Sequence, residues 1–238
     1  MGPGLTAAAC AARNRRPMAP CSAITAAVMA KLPRPGAVKT RLSPPLAAEQ
    51  ASDLAAALLA DSLAALRAAR AVRPAFAVAG DPAEAARLAG PGIVVIAQRG
   101  EGLSARMLNA AADLMLRQDG VLLFGADTLG LVPSDLDHAA TLLALPGERV
   151  VLGPSEDGGF WLIGLKRARA LLFEGMTWSH GDVLARQLEN CARLGLPVAF
   201  APRRADCDEP GDLARAAHEG GPAARAWLAR WRAGSGDA

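Results

Sequence analysis

What most constrains this chain is an alternation that runs through nearly all of it. Short apolar runs follow one another, and segments with helical periodicity separate most of them. The runs are Ala23–Ala30, Ala75–Ala79, Ile93–Ala97, Val121–Phe124, Val150–Leu152, Phe160–Leu165 and Val198–Ala201. A strand that is apolar on both faces must be buried on both, as in a parallel sheet covered by helices on either side. The intervening segments supply those helices. Between 46 and 71, Leu54, Leu58, Leu59, Leu63 and Leu66 fall on one broad face of a helix. Further helices are expected over 83–88 and 103–118, and from an N-cap at Ser134 to about Leu145. Another should run from the Ser179/Asp182 capping pattern to Leu194, and a last one from near Pro210 to just before Gly234.

This pattern predicts a three-layer α/β/α fold around a mostly parallel sheet. One connection breaks the rule. The fifth and sixth runs are joined by a short Gly-rich turn that has no room for a crossover helix, so one strand in the second half of the sheet should run antiparallel. A length of 238 residues suits one domain. We expect it over 23–232, with 1–22 as a flexible N-terminal tail and 233–238 as a frayed end.

Composition narrows the function. With 52% hydrophobic and 21% charged residues the chain is not disordered, and no apolar stretch reads as a membrane span. The formal charge, 26 − 23 = +3, is too small to imply a nucleic-acid partner. Cys10, Cys21, Cys191 and Cys207 show neither a zinc spacing nor a disulfide framework, so reduced thiols and a cytoplasmic location are expected. Aromatics are 4% and tyrosine is absent, which argues against a site built on ring stacking.

Ligands in open α/β sheets bind at the carboxyl ends of the strands. Four features collect there. After the first run comes a loop with Lys31, Arg34, Lys39 and Arg41 among Pro33, Pro35 and Gly36. Such a loop suits a pyrophosphate, with lysine as point charge and arginine as fork. It is neither a Walker loop nor a G-x-G-x-x-G turn. After the fourth run, Gly125-Ala126-Asp127-Thr128 sets an acid where it can hold a divalent metal. Glu156-Asp157-Gly158-Gly159 places carboxylates beside accessible backbone amides, although Asp-Gly is also the favoured hairpin pair. Finally, Asp208 and Asp212 can cap and open the last helix, and Asp208 becomes functional if it also faces the site. Elsewhere, His138 and His218 read as surface residues and His180 as part of a cap. Trp227 and Trp231 read as one packing stripe, and Asp61 as a buried polar partner.

In this order the motifs resemble the DUF2064 group of glycosyltransferase-A-like proteins, some of which are described as arsenosugar-biosynthesis-type glycosyltransferases. The matching stretches are AKLPRPGAVKTRL, GPSEDGGFWLIGL, LFEGMTWS and DCDEPGDL, from Ala27 to about Ala216. The last is also similar to the closing motif of several sugar nucleotidylyltransferases. The resemblance implies a nucleotide-diphospho-sugar transferase fold with Mg²⁺ or Mn²⁺ as cofactor. It implies nucleotide binding by Lys31, Lys39, Arg41 and Arg106, and metal binding by Asp127 with Asp208. Asp157, with Gly158, Gly159, Phe160 and Trp178, would line the sugar or acceptor site. Because acid, glycines and an aromatic pair meet at that one turn, Asp157 is also the candidate catalytic base, with Glu156 behind it. Two motifs depart from the family pattern. Glu101–Arg106 keeps the arginine of G-D-L-G-x-R and lacks its aspartate, and the stretch after Asp127 lacks the usual proline and acid.

The expected partners are a nucleotide-sugar or nucleotide and a small-molecule acceptor. The first reading is a metal-dependent glycosyltransferase. The alternatives are a nucleotidylyltransferase acting on a small phosphorylated substrate, and a non-catalytic nucleotide binder.

Overall fold

The apolar runs form seven strands of one sheet: β1 (Ile24–Lys31), β2 (Arg73–Ala79), β3 (Val94–Ala97), β4 (Gly120–Gly125), β5 (Val150–Pro154), β6 (Phe160–Leu165) and β7 (Val198–Phe200). The helices are α1 (Ala48–Ala68), α2 (Pro82–Ala89), α3 (Gly102–Met115), α4 (Pro133–Ala144), α5 (Val183–Arg193), α6 (Asp212–Glu219) and α7 (Pro222–Ser235). These elements come from a computed structural model that describes residues 24–116, 118–178 and 181–235. The expected N-terminal tail, Cys10, Cys21, Ser179, His180 and the last three residues lie outside the described residues.

The strand order is β3-β2-β1-β4-β6-β5-β7. β6 pairs antiparallel with both β4 and β5, while the β1–β2, β1–β4, β2–β3 and β5–β7 pairs are parallel. The expected mixed sheet with one reversed strand is therefore present, and the short β5–β6 turn is its cause.

Period-two alternation divides the strands between two cores. Val28, Phe76, Leu122 and Leu162 point to one face and meet Leu59 and Leu66 of α1 and Leu136 and Leu143 of α4. Ala27, Ala77, Leu123 and Ile163 point to the other and meet Met107 and Leu114 of α3 and Cys191 of α5. The leucine face of α1 serves two cores. Leu54 and Leu58 join a third, with Leu129, Leu213 and Leu228 beneath α6 and α7. Buried alanines such as Ala26, Ala27, Ala75 and Ala77 fill the sheet with little bulk. Trp227 and Trp231 stack at 6.3 Å against the third core, as their spacing predicts.

Two helix expectations change, one a cap and one an extent. α4 begins at Pro133, and Asp135 accepts the Val132 N–H at 3.1 Å; Asp137 instead accepts the Arg70 and Ala71 N–H groups, each at 2.7 Å. The expected last helix is two helices, broken at Gly220–Gly221, and the second continues through Ser235. The break is filled by Asp61 of α1, which accepts Ala223 N–H at 2.8 Å and Ala224 N–H at 2.9 Å. A Cβ on Gly221 would come within 2.6 Å of Asp61 Oδ2, so glycine is required for this approach. Asp61 thus caps α7 from another helix, with its charge on the positive end of the α7 dipole. Asp61→Ala is expected to destabilise the fold by about 1–2 kcal/mol, measured by urea denaturation. Among the described residues no helix is long and apolar enough to cross a membrane.

Candidate functional site

β1 and β4 lie side by side and parallel, so their carboxyl ends open onto a common groove. The groove has two lobes. The first, about 360 Å³, lies between the end of β1, the basic loop and α1; its charged lining is Lys31, Lys39, Arg41, Asp127 and Asp208. The second, about 470 Å³, lies between β4, β6 and α3, and its walls include Asp157, Asp206, Phe160 and Trp178. Arg41, Asp127 and Asp208 border both lobes.

Lys39 sits where the lobes meet. Its Nζ donates to Asp208 Oδ1 at 2.7 Å and to Asp127 Oδ2 at 3.1 Å. Burial opposes its charge, but the two carboxylates outweigh burial and hold the ammonium above the ordinary lysine range. Burial likewise works to raise Asp127, and Lys39 overcomes it, so Asp127 lies below the usual carboxylate range. Asp127 follows β4 on a turn stabilised by Thr128 Oγ1, which donates to the Gly125 carbonyl at 3.3 Å.

The segment 204–208 lies alongside that turn. Leu129 N–H reaches the Ala205 carbonyl at 2.7 Å, Cys207 N–H reaches the Asp127 carbonyl at 3.2 Å, and Thr128 bridges Asp206. An extended segment alternates its side chains, so Asp206 and Asp208 face the groove while Cys207 is fully buried. Burial, together with the charges of Asp157, Asp127 and Asp208, pushes the Asp206 carboxyl up to about 7. Burial also pushes the Cys207 thiol up to about 12, which makes it a poor nucleophile.

Among the described residues no three acids, histidines or cysteines gather as an ion cage. Asp127 and Asp208 nevertheless converge on one cationic centre, the Lys39 ammonium. Mg²⁺ is commonly held by one or two carboxylates, with water and substrate phosphates completing its shell. The pair therefore fits a metal that arrives with a diphosphate.

In the second lobe, Asp157 Oδ1 accepts the Ser155 hydroxyl and the Gly159 N–H, the latter at 2.9 Å. Phe160 and Trp178 meet edge to face at 6.0 Å, and Trp178 Nε1 donates to Ser104 Oγ of α3 at 3.0 Å.

Residues 52–180, more than half of the chain, match a family described as an uncharacterized protein conserved in bacteria, DUF2064. The chain belongs to this family. No curated protein matches the sequence. Among solved structures, a protein of Desulfovibrio desulfuricans G20, provisionally named a nucleotide-diphospho-sugar transferase, is 26% identical with a TM-score of 0.78, over 90% of this chain and 96% of that one. Two more distant structures share the fold. The inositol-1-phosphate CTP transferase of T. maritima is 12% identical, with a TM-score of 0.52 over 89% of this chain and 98% of its own. A cytidylyltransferase of Leptospira borgpetersenii serovar Hardjo-bovis is 13% identical, with a TM-score of 0.54 over 90% and 94%. The fold of this DUF2064 protein is that of the nucleotide-diphospho-sugar transferases.

Of the residues expected at the site, Lys31, Lys39, Arg41, Asp127, Asp157, Gly159, Phe160, Trp178 and Asp208 all line the groove. Three do not. Glu156 lies in the turn after β5, and there it points away from the groove and pairs with Arg215 at 2.5 Å. Arg106 donates to the Gly100 carbonyl at 3.4 Å and borders neither lobe. Gly158 packs instead against Gly181, whose backbone occupies the space a Cβ would need. Arg34 pairs with Glu84 of α2, outside both lobes. Asp208 does not cap α6: Asp212 folds back and accepts the Asp208 and Glu209 N–H groups at 3.0 and 2.8 Å, which frees Asp208 for Lys39. Asp206 is the site residue that sequence reasoning missed. Its spacing of two from Asp208 was the available signal.

Proposed function

We propose that this protein is a glycosyltransferase with a nucleoside-diphospho-sugar donor and a small polar acceptor. The observation that carries this reading is one groove with a cationic lobe and an acidic, ring-walled lobe that meet at Arg41, Asp127 and Asp208. The likeness to the Desulfovibrio protein supports the donor class. Lys31, Lys39 and Arg41 hold the diphosphate, the lysines as point charges and Arg41 as a fork. Asp127 and Asp208 hold Mg²⁺ or Mn²⁺, which when bound neutralises charge on the departing diphosphate. The acceptor rests against Phe160 and Trp178. Asp157 takes the proton of the acceptor hydroxyl as that oxygen bonds to the anomeric carbon. The bond from that carbon to the diphosphate oxygen breaks, and the nucleoside diphosphate leaves. Ser155 and the Gly159 amide orient the Asp157 carboxylate for this role.

A thermal-shift series with nucleoside diphosphates, triphosphates and nucleotide-sugars, with and without Mn²⁺, tests the reading. A diphosphate or its sugar should raise the Tm by mass action, and nucleoside diphosphate should appear as product. Pyrophosphate release from a triphosphate would instead make the protein a nucleotidylyltransferase, and binding without turnover of any donor a non-catalytic binder. Asp157→Asn should lower kcat about 100-fold or more and leave the donor-induced Tm shift intact. Unchanged transfer by this variant would remove Asp157 as the base.

A further inference from the structure

Lys39 is unusual in its backbone as well as its contacts. Among the described residues it is the one non-glycine residue with positive φ, at 48°. Such conformations persist where the surroundings over-determine them. Here the Lys39 carbonyl accepts the Leu42 N–H at 2.9 Å, and the side chain, only 11% exposed, is drawn between two acids from distant parts of the chain. The ammonium stands at 2.7 and 3.1 Å from the two oxygens that a divalent ion would draw to about 2.1 Å. An ammonium and a divalent cation cannot both sit between the same pair of oxygens. The first lobe also offers Lys39 a second place, because a diphosphate bound beside Lys31 and Arg41 would accept its charge.

We propose that Lys39 is a displaceable internal counter-ion, holding the metal position between Asp127 and Asp208 until a diphosphate draws it away. The free protein then binds a divalent ion weakly. A nucleoside diphosphate exposes the acid pair and supplies phosphate oxygens, so the two ligands bind with positive coupling, equal in both directions. The coupling rests on the donor class proposed above; the competition between Lys39 and the metal does not.

The test is Mn²⁺ titration of the full chain, read by electron paramagnetic resonance of free Mn²⁺, with no nucleotide present. Lys39→Met should bind Mn²⁺ at least tenfold more tightly than the unaltered protein. Lys39→Gly, which accepts the positive φ without strain, should do the same and guards against misfolding of the first variant. Adding Asp127→Asn to Lys39→Gly should abolish the gain. In the unaltered protein UDP, used as the probe diphosphate, should tighten Mn²⁺ binding tenfold or more. Equal or weaker Mn²⁺ binding by both Lys39 variants overturns the proposal, as does a gain that survives Asp127→Asn. Absence of glycosyl transfer with the Lys39 gain intact would count against the proposed function alone.

Discussion

Replacing Arg204 by methionine is expected to destabilise the protein by about 3–5 kcal/mol, because it leaves a buried carboxylate without its counter-charge. Asp135 is 6% exposed in its side chain, and Arg204 donates to it from Nη2 at 2.8 Å to Oδ1 and 2.7 Å to Oδ2, and from Nε at 3.1 Å to Oδ2. For a domain of this size the loss corresponds to a Tm decrease of about 10 °C. The variant should also weaken the site. The Arg204 backbone donates to the Pro154 carbonyl at 3.1 Å and begins the extended segment that carries Asp206 and Asp208. Arg215→Met is the contrast. It breaks the exposed pair with Glu156, and pairs of that kind contribute little, so the Tm should hardly move. The double variant Arg204→Met/Asp135→Leu should recover part of the stability, since both charges then leave together while the Asp135 cap on the Val132 N–H is lost. Thermal unfolding of the four proteins checks all these outcomes.

Gly158→Ala is expected to lower transfer activity by a factor of about 100 or more, a loss on the scale of about 3 kcal/mol in the barrier. Two effects combine. Gly158 has φ of +88°, which an alanine adopts only with strain. Its Cβ would also fall within 2.8 Å of the Gly181 carbonyl carbon, and the obstructing group is backbone, which cannot rotate aside. The turn must move. It carries Asp157 and Gly159, and it is tied to α5 through the Leu184 N–H, which donates to the Gly158 carbonyl at 2.9 Å. The first lobe is built from other segments, so the Tm shift produced by a nucleoside diphosphate should survive. A variant with full activity would show that the Asp157 turn has no part in the reaction.

Much of the site could be read in the sequence because motif and position coincided. The basic loop, Asp127 and the Asp157 turn each follow an apolar run, and parallel strands bring such points to one edge. What escaped depended on partners far along the chain. Lys39 meets acids 88 and 169 residues away, and Arg204 meets Asp135 across 69 residues. Arg106 kept its motif, yet its side chain turns to the Gly100 carbonyl. Glu156 and Asp157 are adjacent and read as a pair, yet the turn that carries them sends Glu156 to Arg215 and folds Asp157 back onto the Gly159 N–H.

The sequence by itself determined the layered α/β class and the single reversed strand, because both follow from local facts: apolar runs long enough for strands and one turn too short for a crossover. Only the tertiary structure decided the order in which the strands lie. Placing β1 against β4 brings Lys39 to Asp127, and pairing the segment before α6 with the turn after β4 adds Asp206 and Asp208. Strand order is set by how whole helices and strands bury their faces against one another, a property of the assembled core that no single stretch of sequence carries.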